Sequence, residues 1–181
     1  SVAQDPVVFP QQVLFQQVIP DNATAEERQL AEIYARVSPA VVSINVLSDL
    51  PATDTTQVPQ GEDPGFVEAT GTGFVIDTEG HIVTNAHVVH GATQIEVNFF
   101  DGRIVRGEAV GIDLDSDVAV IQVDVPAETL QPLQFGNSDS LFIGQEVIAI
   151  GSPFNQPWTM TTGIVSALGR SGINNEGYED F

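Results

Sequence analysis

The sequence contains no cysteine, which excludes disulfide bonds, thiolate nucleophiles and cysteine-ligated metal sites. It also contains no lysine. Five arginines and 25 acidic residues give a formal net charge of −20. Phosphate backbones and anionic membrane surfaces are bound mainly through lysine and arginine. The composition therefore predicts no nucleic-acid partner, and the simplest role of the charge is to keep the protein soluble.

Long apolar runs are missing as well. No run approaches the roughly 18 residues that a membrane-spanning helix needs. The opening residues, SVAQDP, have neither the basic nor the apolar part of a signal peptide, so we expect no targeting segment within this sequence. At 181 residues and 42% hydrophobic, the chain suits one globular domain or two small halves that share a cleft.

Residues 1–38 are predicted to form an extended arm followed by an amphipathic helix. The arm carries three prolines between its apolar residues. Thr24 followed by Glu27 is a capping-box signature, which predicts the start of the helix, and Pro39 predicts its end. The apolar stripe of the helix consists of Leu30, Ile33, Tyr34 and Val37. Packing against the body of the chain and contact with another subunit are both open roles for this stripe.

From residue 39 onward the sequence predicts an all-β structure. Residues 39–136 contain short apolar and β-branched segments at regular spacing, which indicates an antiparallel barrel or sandwich. Within them, HIVTNAHVV is predicted to be one strand, VAVIQVD a strand buried on both faces, and residues 48–70 a long loop rich in proline and acidic residues. Residues 137–181 hold two more strands, at roughly 143–151 and 158–168.

All three histidines, His81, His87 and His90, lie around the predicted strand HIVTNAHVV. A histidine at a strand end can act as a base if an acid orients its second ring nitrogen. Asp117 is the best candidate for that acid, because it immediately precedes an apolar run where an unpaired carboxylate would be costly. The neighbouring Asp113 and Asp115 are expected in a solvated loop.

Two metal-binding interpretations are weak. The segment DLDSDV resembles the start of a calcium loop, but Val118 stands where the sharp turn needs glycine, and no glutamate follows at the twelfth position. His87 and His90 are three residues apart, but no motif supplies a third ligand. We therefore predict neither a metal nor a cofactor, and we interpret His81 and His90 as structural residues.

Three blocks together resemble the HtrA/Deg family of trypsin-like serine proteases over residues 38–181: TGTGFVIDTEGHIVTNAHVV, DLDSDVAVIQV, and SDSLFIGQEVIAIGSPF with TMTTGIVSALGR. The resemblance implies a chymotrypsin/trypsin-like double antiparallel β-barrel with its site in the crevice, the first barrel complete and the second only begun. The family's T-N-x-H-V-V block assigns the catalytic base to His87. Its S-D-[IV]-A-[VL] block assigns the orienting aspartate to Asp117, which agrees with the choice made from position.

The family's nucleophile block, G-N-S-G-G, does not occur in the sequence, and the family order places it after Phe181. The resemblance thus implies a serine endopeptidase of protein quality control, acting on unfolded polypeptides. We expect this chain alone to be inactive, either because it is one product of a nick, with a companion polypeptide that carries the serine, or because it is truncated. The alternative is a non-catalytic, chaperone-like peptide-binding module or an inactive protease.

The resemblance also implies partners and a location. Family members usually form homotrimers through N-terminal segments, for which Phe9, Phe15 and Tyr34 are the candidate contacts here. An extracytoplasmic location, whether periplasmic, secreted or membrane-anchored, is the family's common setting.

Overall fold

The computed structural model describes residues 18–49, 66–153 and 156–170. Phe9, Phe15 and most of the predicted loop 48–70 lie outside the described residues. In chain order the helices and strands are α1 (Ala25–Val37), β1 (Val41–Asp49), β2 (Phe66–Val75), β3 (His81–Thr84), α2 (Ala86–Val89), β4 (Ala92–Asn98), β5 (Ile104–Asp113), β6 (Val118–Val123), β7 (Glu146–Gly151) and β8 (Thr159–Ile164). None of the described helices is long and apolar enough to cross a membrane.

Helix α1 begins and ends where the sequence predicts. The Thr24 hydroxyl accepts a hydrogen bond from the Glu27 backbone N–H at 3.2 Å, and the Glu27 carboxylate accepts one from the Thr24 N–H at 2.7 Å. This reciprocal pair satisfies two N–H groups that the first helical turn leaves without partners. A 3-10 turn that contains Pro39 follows directly after Val37 and leads into β1.

Strands β1 to β6 form a closed antiparallel barrel in the order β1-β2-β3-β6-β5-β4. The first barrel is therefore complete, as predicted, and closure leaves it without free strand edges. Its interior is filled by apolar side chains, which include Val42, Ile44, Val75, Ile82, Val97, Phe99 and Ile121. Between β2 and β3 the chain turns at Gly80, whose φ is +93° and where a Cβ atom would collide with the carbonyl oxygen of Val123.

Two details of the barrel differ from the sequence predictions. The segment VAVIQVD is not buried on both faces, since β6 alternates along its length and only Ala119, Ile121 and Val123 face the core. The predicted loop 48–70 is shorter, because β1 extends to Asp49 and β2 already begins at Phe66. The burial of β6 follows because each strand of the closed barrel presents one face inward and one outward, whatever its composition.

Beyond the barrel, β7 and β8 pair as a separate two-stranded antiparallel sheet. Both strands are shorter than predicted. Several large apolar side chains in this sheet and in the segment just before it are exposed, among them Phe142, Ile143, Val147 and Ile164. Within these residues the second barrel is thus only begun, and the prediction of a trypsin-like all-β fold with one complete barrel is confirmed. The exact division at residues 38 and 136 stays a prediction.

Hydrogen bonds join this second sheet to the barrel and to α1. The backbone N–H of Ser152, which follows β7, donates to the hydroxyl of Thr72 in β2 at 2.8 Å. The indole Nε1 of Trp158 donates to the backbone oxygen of Val41 at 2.8 Å, and the Tyr34 hydroxyl donates to the backbone oxygen of Trp158 at 3.0 Å. The seam between the two sheets is therefore held by directional contacts at both ends of the β7–β8 turn.

Candidate active site

His87 lies on α2, a single helical turn, and not at the end of a strand as the sequence predicted. Strand β3 ends at Thr84, the last residue that pairs with β6. The Thr84 hydroxyl donates to the backbone oxygen of Thr72 at 2.7 Å, so the strand end is anchored to the same residue that contacts the second sheet. After Thr84 the chain turns into α2, whose Ala86 and Val89 are buried in the barrel while His87 is exposed.

His87 and Asp117 are brought together from 30 residues apart in the sequence. Nδ1 of His87 lies 2.7 Å from Oδ2 of Asp117, and the backbone N–H of His87 donates to Oδ1 at 2.9 Å. The side-chain amide of Asn85 donates to Oδ2 at 3.0 Å, so both carboxylate oxygens accept hydrogen bonds. An imidazole held in this way has its proton on Nδ1, which leaves Nε2 free to accept a proton.

The backbone of Asp117 is in the left-handed region, with φ at 50°. Few residues other than glycine adopt this conformation, and aspartate and asparagine are among those that tolerate it best. The backbone oxygen of Asp117 accepts a hydrogen bond from the Ala86 N–H at 3.1 Å, which fixes the turn against the start of α2. The strained turn points the carboxylate back at the histidine.

Hydrogen bonds lower the pKa of Asp117 below its usual value. The backbone N–H of His87 is the largest cause, burial opposes it, and the His87 ring and the Asn85 amide contribute further lowering. Because the folded pKa lies below the unfolded value of about 3.9, the ionised carboxylate stabilises the fold above that value. This stabilisation is lost as the pH falls through the lower, folded pKa, so the Asp117 carboxylate is ionised at neutral pH.

The His87–Asp117 pair is open to solvent. The His87 side chain is 71% exposed and that of Asp117 is 42% exposed. Among the described residues, none makes a hydrogen bond with Nε2 of His87. The nitrogen that would take a proton from a nucleophile thus faces outward.

The other two histidines take no part in this pair. His81 is the first residue of β3, directly after the β2–β3 turn, and its Nδ1 is 2.6 Å from Oδ2 of Asp77. Oδ1 of Asp77 also accepts the backbone N–H groups of Glu79 and His81, so the contacts close the turn locally. His90 is exposed at the end of α2.

One group of side chains in the described part of the chain has a spacing that could hold a metal ion, and it consists of Asp77, Glu79 and His81. Neither His87 nor His90 belongs to it. In the DLDSDV segment, Oδ1 of Asp113 accepts the backbone N–H groups of Asp115 and Ser116, which is the arrangement of a local turn. Asp113 is the last residue of β5 and Asp115 follows it in the exposed turn, in accord with the predicted solvated position.

Sequence reasoning missed Asn85 as a member of the site. Its side chain is the only one besides His87 that contacts the Asp117 carboxylate within the described residues. The signal was present, since Asn85 is the second residue of the T-N-x-H-V-V block. Nothing in a single sequence shows that this amide faces a carboxylate 32 residues away.

A closed antiparallel barrel that carries a histidine–aspartate pair at its rim, followed by a second antiparallel sheet, defines the class of trypsin-like peptidases. In agreement, the family model described as "Trypsin-like peptidase domain" matches residues 71–181. The solved structure of "HtrA-type protease AlgW with tripeptide" superposes with a TM-score of 0.69 at 32% identity, over 83% of this chain and 44% of that one. The fold is thus shared with a known protease.

Two curated relatives narrow the class. "Protease Do-like 1, chloroplastic" of Arabidopsis thaliana is 39% identical over 83% of this chain, and "Periplasmic serine endoprotease DegP" of Escherichia coli K12 is 38% identical over 84%. The chain belongs to the HtrA/Deg family of trypsin-like serine proteases. It spans 33% and 39% of the lengths of these two relatives.

Proposed function

We propose that this chain supplies the base and the orienting acid of a serine endopeptidase. His87 takes the proton of the attacking serine on Nε2 and later donates it to the leaving amine, while Asp117 holds the imidazole in the correct tautomer. The observation that carries the proposal is the 2.7 Å contact between His87 Nδ1 and Asp117 Oδ2, with Nε2 exposed. The relatives' names as serine endoproteases support the same reaction.

The nucleophilic serine is proposed to lie in a segment outside these 181 residues. The sequence contains no G-N-S-G-G block, and the relatives it matches are two to three times as long. The oxyanion hole would come from the same segment, since in such sites the backbone N–H of the serine itself binds the developing negative charge. Catalysis then requires this chain and the serine-bearing segment to be assembled.

We propose unfolded or misfolded polypeptides as substrates and protein quality control outside the cytoplasm as the setting. The family resemblance supports both, and the relatives include a periplasmic and a chloroplastic protease.

The first test is a denaturing intact-mass spectrum of the purified protein after exposure to a fluorophosphonate probe, which labels activated serines. We expect the label on a serine outside the 181 residues, with labelling lost when the protein is unfolded beforehand. A label on a serine within these residues would overturn the proposed location of the nucleophile. An unlabelled protein that binds unfolded chains would instead support the chaperone-like, non-catalytic alternative.

We also propose that the protein forms a homotrimer through its N-terminal segment. Phe9 and Phe15 lie outside the described residues, while Tyr34 bonds to Trp158 and packs edge-on against Phe100 within its own chain. Light scattering at micromolar concentration is expected to give three times the mass of one assembled protomer. A monomer mass would contradict the trimer and leave the proposed chemistry untouched.

A further inference from the structure

Asn85 occupies the N-cap position of α2, yet its side chain does not cap the helix. Its backbone is extended, with φ at −76° and ψ at 144°, as at an ordinary N-cap. No hydrogen bond runs from the α2 backbone to its side chain. The usual reason for asparagine at such a position, acceptance of an N–H group from the first turn, therefore does not apply here.

The side-chain amide of Asn85 instead donates hydrogen bonds to Asp117. Nδ2 donates to the carboxylate Oδ2 at 3.0 Å and to the backbone oxygen of Asp117 at 3.2 Å. Both partners accept hydrogen bonds only, so the amide can face them only with its NH₂ group. The two protons of one amide thus tie the side chain of Asp117 to its own backbone.

No other side chain among the described residues makes such a double contact with Asp117. The two further hydrogen bonds to the carboxylate both come from His87, from its backbone and from its ring. They tie the carboxylate to His87, while the backbone oxygen of Asp117 also accepts a hydrogen bond from the neighbouring Ala86 N–H. Asn85 bridges these two parts of Asp117, which is in a left-handed conformation that needs support.

We propose that Asn85 is a positioning residue of the protease, which locks the carboxylate of Asp117 so that Oδ2 faces Nδ1 of His87. The proposal rests on the function proposed above. Oδ2 has two lone pairs in its plane, and the two donors at 2.7 and 3.0 Å occupy them. When His87 becomes an imidazolium in the reaction, the carboxylate is already aimed at it, and no reorganisation is needed.

The test compares two Asn85 variants in the assembled protease. Asn85→Ala removes the amide, and Asn85→Asp keeps its size and its quality as an N-cap but replaces the donor with a second acceptor. For a positioning role we expect kcat to fall by about 10- to 100-fold in Asn85→Ala, on the scale of a displaced catalytic group. We expect at least as large a fall in Asn85→Asp, with KM unchanged in both.

Asn98→Ala is the matched control. Asn98 is also an asparagine whose amide donates to a backbone oxygen, that of Ser43 at 3.4 Å, but it lies in β4 of the barrel. Its kcat is expected to equal that of the wild type. If Asn85 served only as a helix cap, Asn85→Asp would behave like the wild type and Asn85→Ala would lower only the melting temperature, which would overturn the proposal.

A second measurement does not depend on activity. Because the sequence has three histidines, the Nδ1 proton of His87 can be assigned by NMR in the histidine-labelled protein. We expect its signal to be protected from exchange in the wild type and in Asn98→Ala, and lost in both Asn85 variants. Equal protection in all four proteins would overturn the proposal.

Activity measurements distinguish a failure of the proposed protease function from a failure of the proposed role of Asn85. If His87→Ala retains full turnover, the proposed function is wrong, and the positioning role falls with it. If His87→Ala is inactive while Asn85→Asp has the kcat of the wild type, only the role of Asn85 is wrong.

Discussion

Replacing His87 with alanine is expected to lower kcat by about 10⁶-fold in the assembled protease, the scale of loss when the base of a Ser–His–Asp site is removed. Without the imidazole nothing accepts the serine proton, so the nucleophile stays a neutral hydroxyl at neutral pH. The loss should appear in the hydrolysis of a fluorogenic unfolded polypeptide, with only the residual rate that substrate binding and the oxyanion hole supply. Because the His87 side chain is 71% exposed, the variant should fold as the wild type does.

His90→Ala is the control for this variant. It removes the same side chain three residues further on, at the exposed end of α2. We expect His90→Ala to keep the activity of the wild type. Comparable losses in the two variants would mean that the α2 segment as a whole, and not the base, had been damaged; full activity of His87→Ala would refute the assignment.

Asp117→Asn is expected to lower kcat by about 10⁴-fold while leaving the fold intact. Asparagine tolerates the left-handed backbone at position 117 as well as aspartate does, so the change tests charge and tautomer without adding strain. Its amide group would offer a donor where Oδ2 now accepts from His87 and Asn85. The imidazole would then carry its proton on Nε2, which cannot take one from serine.

The measurement is kcat together with the circular dichroism spectrum and the melting temperature. Asp115→Asn is the matched control, because Asp115 lies two residues earlier in the same exposed turn and its carboxylate accepts no hydrogen bond among the described residues. We expect it to retain wild-type turnover. An Asp117→Asn protein with undiminished kcat would show that another group orients His87.

Structural features that depend only on residues close in the sequence could be predicted from the sequence. The Thr24–Glu27 box and Pro39 set the limits of α1, because capping needs only the residues of the first turn and proline acts on its own backbone. The alternating strands predicted the β class. The pairing of His87 with Asp117 was predicted from the cost of an unpaired carboxylate beside an apolar run and from the family blocks, and the structure brings the two side chains together.

Features that depend on tertiary contacts could not be predicted. The single turn α2 interrupts an apolar run that resembles one strand, because β3 loses its partner after Thr84. Strand β6 is nearly all apolar, although the barrel buries only one of its faces. The role of Asn85 depends on a distance across 32 residues of sequence, and Tyr34 was predicted at a subunit contact without any sign of its bond to Trp158.

The seam between the barrel and the second sheet contains a natural fluorescent probe. Trp158 is the only tryptophan in the sequence, and its indole lies between the backbone of Val41 and the ring of Phe100, whose centroid is 5.4 Å away. Indole emission shifts to longer wavelength when the ring enters water. Tryptophan fluorescence therefore reports the contact of the second sheet with the barrel, whereas circular dichroism reports mainly the strands of the barrel. A difference between the two melting curves would reveal a state in which the barrel is folded and the second sheet is detached from it.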